Sequence, residues 1–238
     1  MSGKWKRAAL ALVLALGLGL TGCLGGGSGL GGGISRPETI ESAELQFTHP
    51  VTGDTVAVFD TTAGVFRAVL FPDQAPQTCE NFIGLVEDGY YNGLTITRVD
   101  AGFVVEAGQD AGGGSTTIWN GSGYPPEYTD KLHHYSGALC AAMTDAGEGG
   151  SVFYVMQTAP GLEQELLDQM TAQGWRQEII DAYAAAGGAP YLDYTDTVFG
   201  QVYEGMEVVD AIGAAAVDEN QVPAEPITIN SVTIETYP

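Results

Sequence analysis

The sequence predicts a mainly β fold, a closed antiparallel barrel capped by helices. Three observations carry that expectation: eight short β-rich runs along the chain, only a few helical patterns, and turn signals between them. The first two runs, 55–60 and 65–71, are joined by Thr61-Thr62-Ala63-Gly64 and read as a hairpin. Ala75-Pro76 then opens a helix, because proline is tolerated in a first turn; Cys79, Phe82, Ile83 and Val86 recur at helical spacing until Gly89 stops it. Further β-like runs follow at 94–99, 102–106, 138–143, 152–157, 197–203 and 227–236. Between the sixth and seventh, Leu166, Leu167, Met170, Trp175, Ile179, Ile180 and Tyr183 mark two amphipathic helical stretches hinged at Gly174. A last short helix over 206–212 carries Met206, Val209 and Ile212 on one face.

Composition bounds what such a protein does. The chain of 238 residues is 45% hydrophobic and 16% charged, enough to bury a core as one domain. Its formal charge is −22, and losing the three cations of its first seven residues takes it to −25. That surface repels phosphate backbones and anionic headgroups, which excludes nucleic acid as a partner.

The N-terminus reads as an address. Lys4, Lys6 and Arg7 precede apolar or small residues over 8–20, too short a run for a spanning helix. Leu20-Thr21-Gly22-Cys23 resembles the lipobox of prokaryotic lipoproteins. The resemblance implies a signal peptide over 1–22, a lipid on Cys23, and an extracytoplasmic domain held to the cell membrane by that lipid alone. The Gly- and Ser-rich stretch after Cys23 is expected to be a flexible linker over 23–50, with the domain at 51–238. Of the other cysteines, Cys79 falls on a helical pattern and Cys140 on a strand pattern; one disulfide or two buried core thiols are both compatible with that.

Three ordered blocks resemble the cyclophilin family of peptidyl-prolyl isomerases. The first is Phe71-Pro72-Asp73-Gln74-Ala75-Pro76 with Glu80-Asn81-Phe82 and Gly89-Tyr90-Tyr91-Asn92-Gly93-Leu94. The second is Thr97-Arg98-Val99 with Gly102-Phe103; the third is Leu192-Asp193, then Thr197 to Val202 and Gly205-Met206. The likeness spans about 55–236 apart from a helical insertion near 159–189, and it implies an eight-stranded antiparallel barrel capped by helices. By the same resemblance Arg98 is the catalytic arginine, and Phe103, Val104, Ala142, Tyr154 and Leu192 line an apolar proline pocket. Glu106, Met143, Tyr191 and Asp196 take the remaining substrate-binding positions, but each departs from the family's usual residue, as do Thr97 and Val152. Glu106 either holds the Arg98 guanidinium or competes with substrate for it.

The chemistry needs little else. Rotation about an X-Pro bond crosses a barrier of about 18–20 kcal/mol, and the twisted amide nitrogen regains a lone pair. A permanently charged donor aimed at that nitrogen stabilises the twisted form above either planar one. No metal or cofactor is expected, and His133-His134 are assigned a turn or strand-end role. The expected partners are unfolded or proline-containing polypeptides, met by a monomer. The insertion emerges just before Tyr191 and Leu192, so it is expected near one rim of the groove. Two functions remain open: an isomerase assisting the folding of secreted proteins, or a catalytically weak module that binds proline-bearing segments.

Overall fold

The computed structural model describes residues 34–238; the expected signal peptide, Cys23 and the first part of the linker lie outside the described residues. β1 (Thr55–Thr61) and β2 (Gly64–Leu70) form the hairpin, with Val56 opposite Val69 and Thr61 opposite Gly64. The Thr61 hydroxyl locks its turn, donating to the Gly64 carbonyl at 2.7 Å and accepting from the Ala63 N–H. α1 (Pro76–Glu87) starts on its proline and is capped from a distance. The Glu127 carboxylate accepts the otherwise orphaned Gln77 and Thr78 N–H groups at 3.0 and 2.9 Å, where a negative charge also meets the helix dipole.

β3 (Ile96–Asp100), β4 (Val104–Ala107), β5 (Ala138–Ala141), β6 (Phe153–Met156), β7 (Thr197–Glu204) and β8 (Ile229–Thr236) complete one antiparallel sheet, in the order β3-β4-β6-β5-β7-β2-β1-β8. The two-residue period of each strand feeds two cores. Val105, Ala107, Leu139, Phe153, Val155 and Phe199 join an inner cluster with Phe82 of α1, closed by Val209 and Ile212 of α4 (Met206–Gly213). Their alternates Val104, Ala138, Cys140, Tyr154, Met156 and Val198 form an outer cluster.

The sheet is a half-barrel, which corrects the expectation of a closed barrel. β3 and β8 are its edges, joined only by an isolated bridge, Thr95 to Thr228, and a few backbone hydrogen bonds such as Ile96 N–H to the Ile227 carbonyl at 2.9 Å. Further along β3 the loop before β8 replaces it: the Val99 N–H donates to the carbonyl of Gln221, a residue at φ +65°. Pro223 and Pro226 in that loop have no N–H to offer, so a ladder cannot continue there.

The insertion forms α2 (Gln164–Ala172) and α3 (Gln177–Ala186), broken at Gly174, which sits at φ +80°. Met170, Ile179, Ile180 and Tyr183 build a third cluster on Tyr135. Residues 36–50 were expected to belong to the linker, yet they lie against the domain as a strap. Ile40 and Phe47 pack onto the insertion's cluster and Leu45 onto the outer one, while Glu44 and Gln46 are buried. These few apolar anchors hold the strap down.

Candidate active site

Strand register assembles the site. Arg98 of β3 stands opposite Glu106 of β4, Glu106 opposite Tyr154 of β6, and Tyr154 opposite Cys140 of β5. Directly paired residues share a face, so this row crosses the outside of the half-barrel. Arg98 is one-third exposed, and its guanidinium is engaged on three sides: Nε donates to Gln221 Oε1 at 3.1 Å, one terminal nitrogen to Glu106 Oε2 at 3.1 Å, the other to Asp100 Oδ2 at 3.4 Å. A guanidinium carries five N–H donors, so two remain for a ligand.

Beside the cation lies an apolar floor. The turn after β3 delivers Phe103, whose N–H donates to the Asp100 carbonyl at 2.9 Å, with Gly102 at φ +78°. Phe103, Ala142 and Leu192 are half-buried and pack on the outer cluster around Val104 and Tyr154, leaving one side open. Tyr154 itself is buried, and its hydroxyl donates to Asp196 Oδ2 at 2.8 Å while Asp196 Oδ1 accepts the Met143 N–H at 3.3 Å. The phenol and the carboxylate therefore satisfy each other. Burial first, and the nearby Cys140 and Asp196 second, push the Tyr154 phenol far up, so it stays a donor.

Two of the expected groove residues stand apart. Met143 turns its side chain to the inner core and offers the groove side only its backbone. Tyr191 is 63% exposed on the rim; burial of part of its ring and then the charge of Asp100 raise its phenol. Thr97 donates to the Glu106 carbonyl at 3.3 Å, and the Val152 carbonyl accepts the Ala142 N–H.

Below the rim a buried carboxylate ties three segments together. Asp193 accepts from the ring nitrogens Nδ1 of His133 and His134 at 2.7 and 2.8 Å, from the His134 N–H, and from the Tyr183 hydroxyl of α3. The two histidines are thus clamps on the segment carrying Leu192. Among the described residues no group of three His, Cys, Asp or Glu is placed to hold a metal ion.

Sequence reasoning missed Asp100 and Gln221. Asp100 was readable, since it lies two residues from Arg98 on the same strand face. Gln221 gave no signal, because a loop residue with positive φ follows no period.

An antiparallel half-barrel with a cation above an apolar floor defines an enzyme that can stabilise a twisted amide. A family model for "Cyclophilin type peptidyl-prolyl cis-trans isomerase/CLD" matches residues 56–234, and the chain belongs to this family. It is a peptidyl-prolyl cis-trans isomerase. A candidate peptidyl-prolyl cis-trans isomerase of Staphylococcus saprophyticus is 34% identical over 192 residues, covering 79% of this chain and 96% of the relative. One of Staphylococcus aureus is 34% identical over 185 residues, covering 77% and 93%. The crystal structure of a Cryptosporidium parvum cyclophilin-type isomerase shares the fold, with a TM-score of 0.61 at 21% identity over 78% of this chain and 99% of the other. The same parasite enzyme crystallised in the presence of the dipeptide Ala-Pro gives a TM-score of 0.60 at 21% identity, over 76% and 99% of the two chains.

Proposed function

We propose that this isomerase works outside the cytoplasm, tethered by a lipid on Cys23, and turns X-Pro bonds in unfolded or proline-containing polypeptides. The observation that carries the chemical part is the Arg98 guanidinium held on the outer face beside the half-open floor of Phe103, Ala142 and Leu192. The proline ring occupies that floor, and the free N–H donors of Arg98 meet the amide nitrogen as it pyramidalises. Low dielectric beneath the ring strengthens this contact in the twisted state, which lowers the barrier. The Ala-Pro dipeptide of the parasite neighbour is the kind of ligand this floor accommodates. Leu20-Thr21-Gly22-Cys23 supports the tether.

A protease-coupled assay on a short Xaa-Pro peptide tests the chemistry. Arg98→Ala is expected to lower kcat/KM by about a hundredfold, the usual cost of removing one transition-state donor. Equal rates for the two forms would remove Arg98 from the mechanism. Radiolabelled palmitate should enter the wild-type protein and not Cys23→Ala.

The second reading, a weak catalyst that mainly binds proline-bearing segments, is favoured by one feature. Two carboxylates and an amide already occupy three of the Arg98 donors.

A further inference from the structure

The strap reaches the proline pocket by a route that the reaction does not require. Arg36 grips Asp210 of α4 with both arms, Nε to Oδ2 at 2.9 Å and a terminal nitrogen to Oδ1 at 2.7 Å. Its remaining terminal nitrogen donates to the Ser136 hydroxyl at 2.7 Å, which in turn donates to the Thr158 carbonyl. The pair is largely withdrawn from water, with side chains 18% and 11% exposed. Asp210 Oδ1 also accepts from Gln157 Nε2 at 2.9 Å. Gln157 is buried just after β6 and places two more of its polar groups on the pocket turn. Its Oε1 accepts the Gly102 N–H at 2.9 Å, and its backbone N–H donates to the Phe103 carbonyl at 2.7 Å.

From this continuous chain of contacts we propose that Arg36 is a positioning residue for Phe103. It acts through Asp210 and Gln157 on the turn that carries the pocket's aromatic floor, and the inference rests on the reading of Phe103 given above. The physical reason is a fixed orientation. The bidentate arginine leaves the Asp210 carboxylate one rotamer, that carboxylate fixes which way the Gln157 amide faces, and the amide oxygen then pins the Gly102 N–H. Without Arg36 a mostly buried carboxylate has lost its counter-charge and turns to find another donor, and the Gln157 side chain follows it. Gly102 stands at φ +78°, and the hydrogen bond from its N–H to Gln157 Oε1, together with that from the Gln157 N–H to the Phe103 carbonyl, ties the turn that carries Phe103 to this one side chain. Arg36 lies before the span matched by the family model, 56–234, while Asp210 and Gln157 lie within it. Arg98 is outside the relay. The relay therefore governs how tightly the proline ring is held, not how the twisted amide is stabilised.

Kinetics on an Xaa-Pro peptide and amide NMR spectra of the full-length chain test it. Arg36→Ala is expected to raise KM about threefold to tenfold, to leave kcat within about twofold, and to move the Gly102 and Phe103 amide signals. Asp210→Asn should reproduce this, the double variant should be no worse than either single one, and Arg36→Lys should fall between, since an ammonium restores the charge but not the fork. Arg67→Ala, which removes two surface ion pairs elsewhere, to Glu204 and Glu235, is the control for general destabilisation. An unmoved Gly102 signal with unchanged KM overturns the proposal, as does a fall in kcat as large as the rise in KM without rescue by lysine. If the wild-type chain fails to accelerate rotation, the isomerase reading falls, and the Gly102 signal still decides the relay.

Discussion

Glu106 is where this chain spends a charge that an amide would spare. Its carboxylate, only 14% exposed, holds one terminal nitrogen of Arg98 at 3.1 Å. A hydrogen bond to a charged partner is worth about 1 kcal/mol more than one to a neutral partner, and that excess is drawn from the same cation that must meet the substrate. Glu106→Gln keeps an acceptor in place and removes the competing charge, so kcat/KM should rise about threefold to tenfold. A fall instead would mean that the carboxylate is what keeps the guanidinium aimed. Arg98, Glu106, Tyr154 and Phe103 were all legible as candidates through the resemblance of the chain's ordered blocks to the cyclophilin family. Gln221 was not, because it reaches Arg98 from 123 positions away through a loop.

At the scale of the element, the insertion is docked rather than hinged. α3 is tied through Tyr183 to Asp193, and its apolar face is occupied by Tyr135, whose ring centroid lies 4.4 Å from that of Tyr183. Burial pushes the Asp193 carboxyl up, and the hydrogen bonds of His133 and His134 more than cancel that, so it sits below its ordinary value of 3.8. A carboxyl lowered on folding stabilises the fold fully above its unfolded value and loses that contribution as pH falls through the folded one. Above about pH 5 wild type should therefore melt higher than Asp193→Asn, by a margin worth about 1–3 kcal/mol, and the margin should shrink below about pH 4. A margin that grew on acidification would contradict the assignment. Periodicity revealed α2, α3 and the break at Gly174, since both helices bury one stripe. It gave no hint of the strap, whose Ile40, Leu45 and Phe47 follow no helical or strand period.

Across the whole molecule, thirty carboxylates face eight lysines and arginines. Self-repulsion of this size opposes compactness, and it is screened once the Debye length falls to about 10 Å near 0.1 M salt. Melting temperature should climb by several degrees between about 10 mM and about 200 mM sodium chloride; a flat or falling curve would show that the few ion pairs outweigh the repulsion. All eight strands were readable because each is a short β-rich run bounded by turn signals. The closure of the sheet was not, because it depends on whether two distant edges meet, and the loop holding Gln221, Pro223 and Pro226 comes between them.

Cys79 and Cys140 lie on opposite sides of one sheet, the first in the inner cluster and the second in the outer. Both are unpaired, and burial pushes the Cys79 thiol up to about 12 and raises that of Cys140 well above its ordinary value, so neither sulfur ionises to attack a partner. Maturation of this domain thus asks nothing of an oxidoreductase. It can complete itself equally well in a compartment rich in oxidants or in one poor in them.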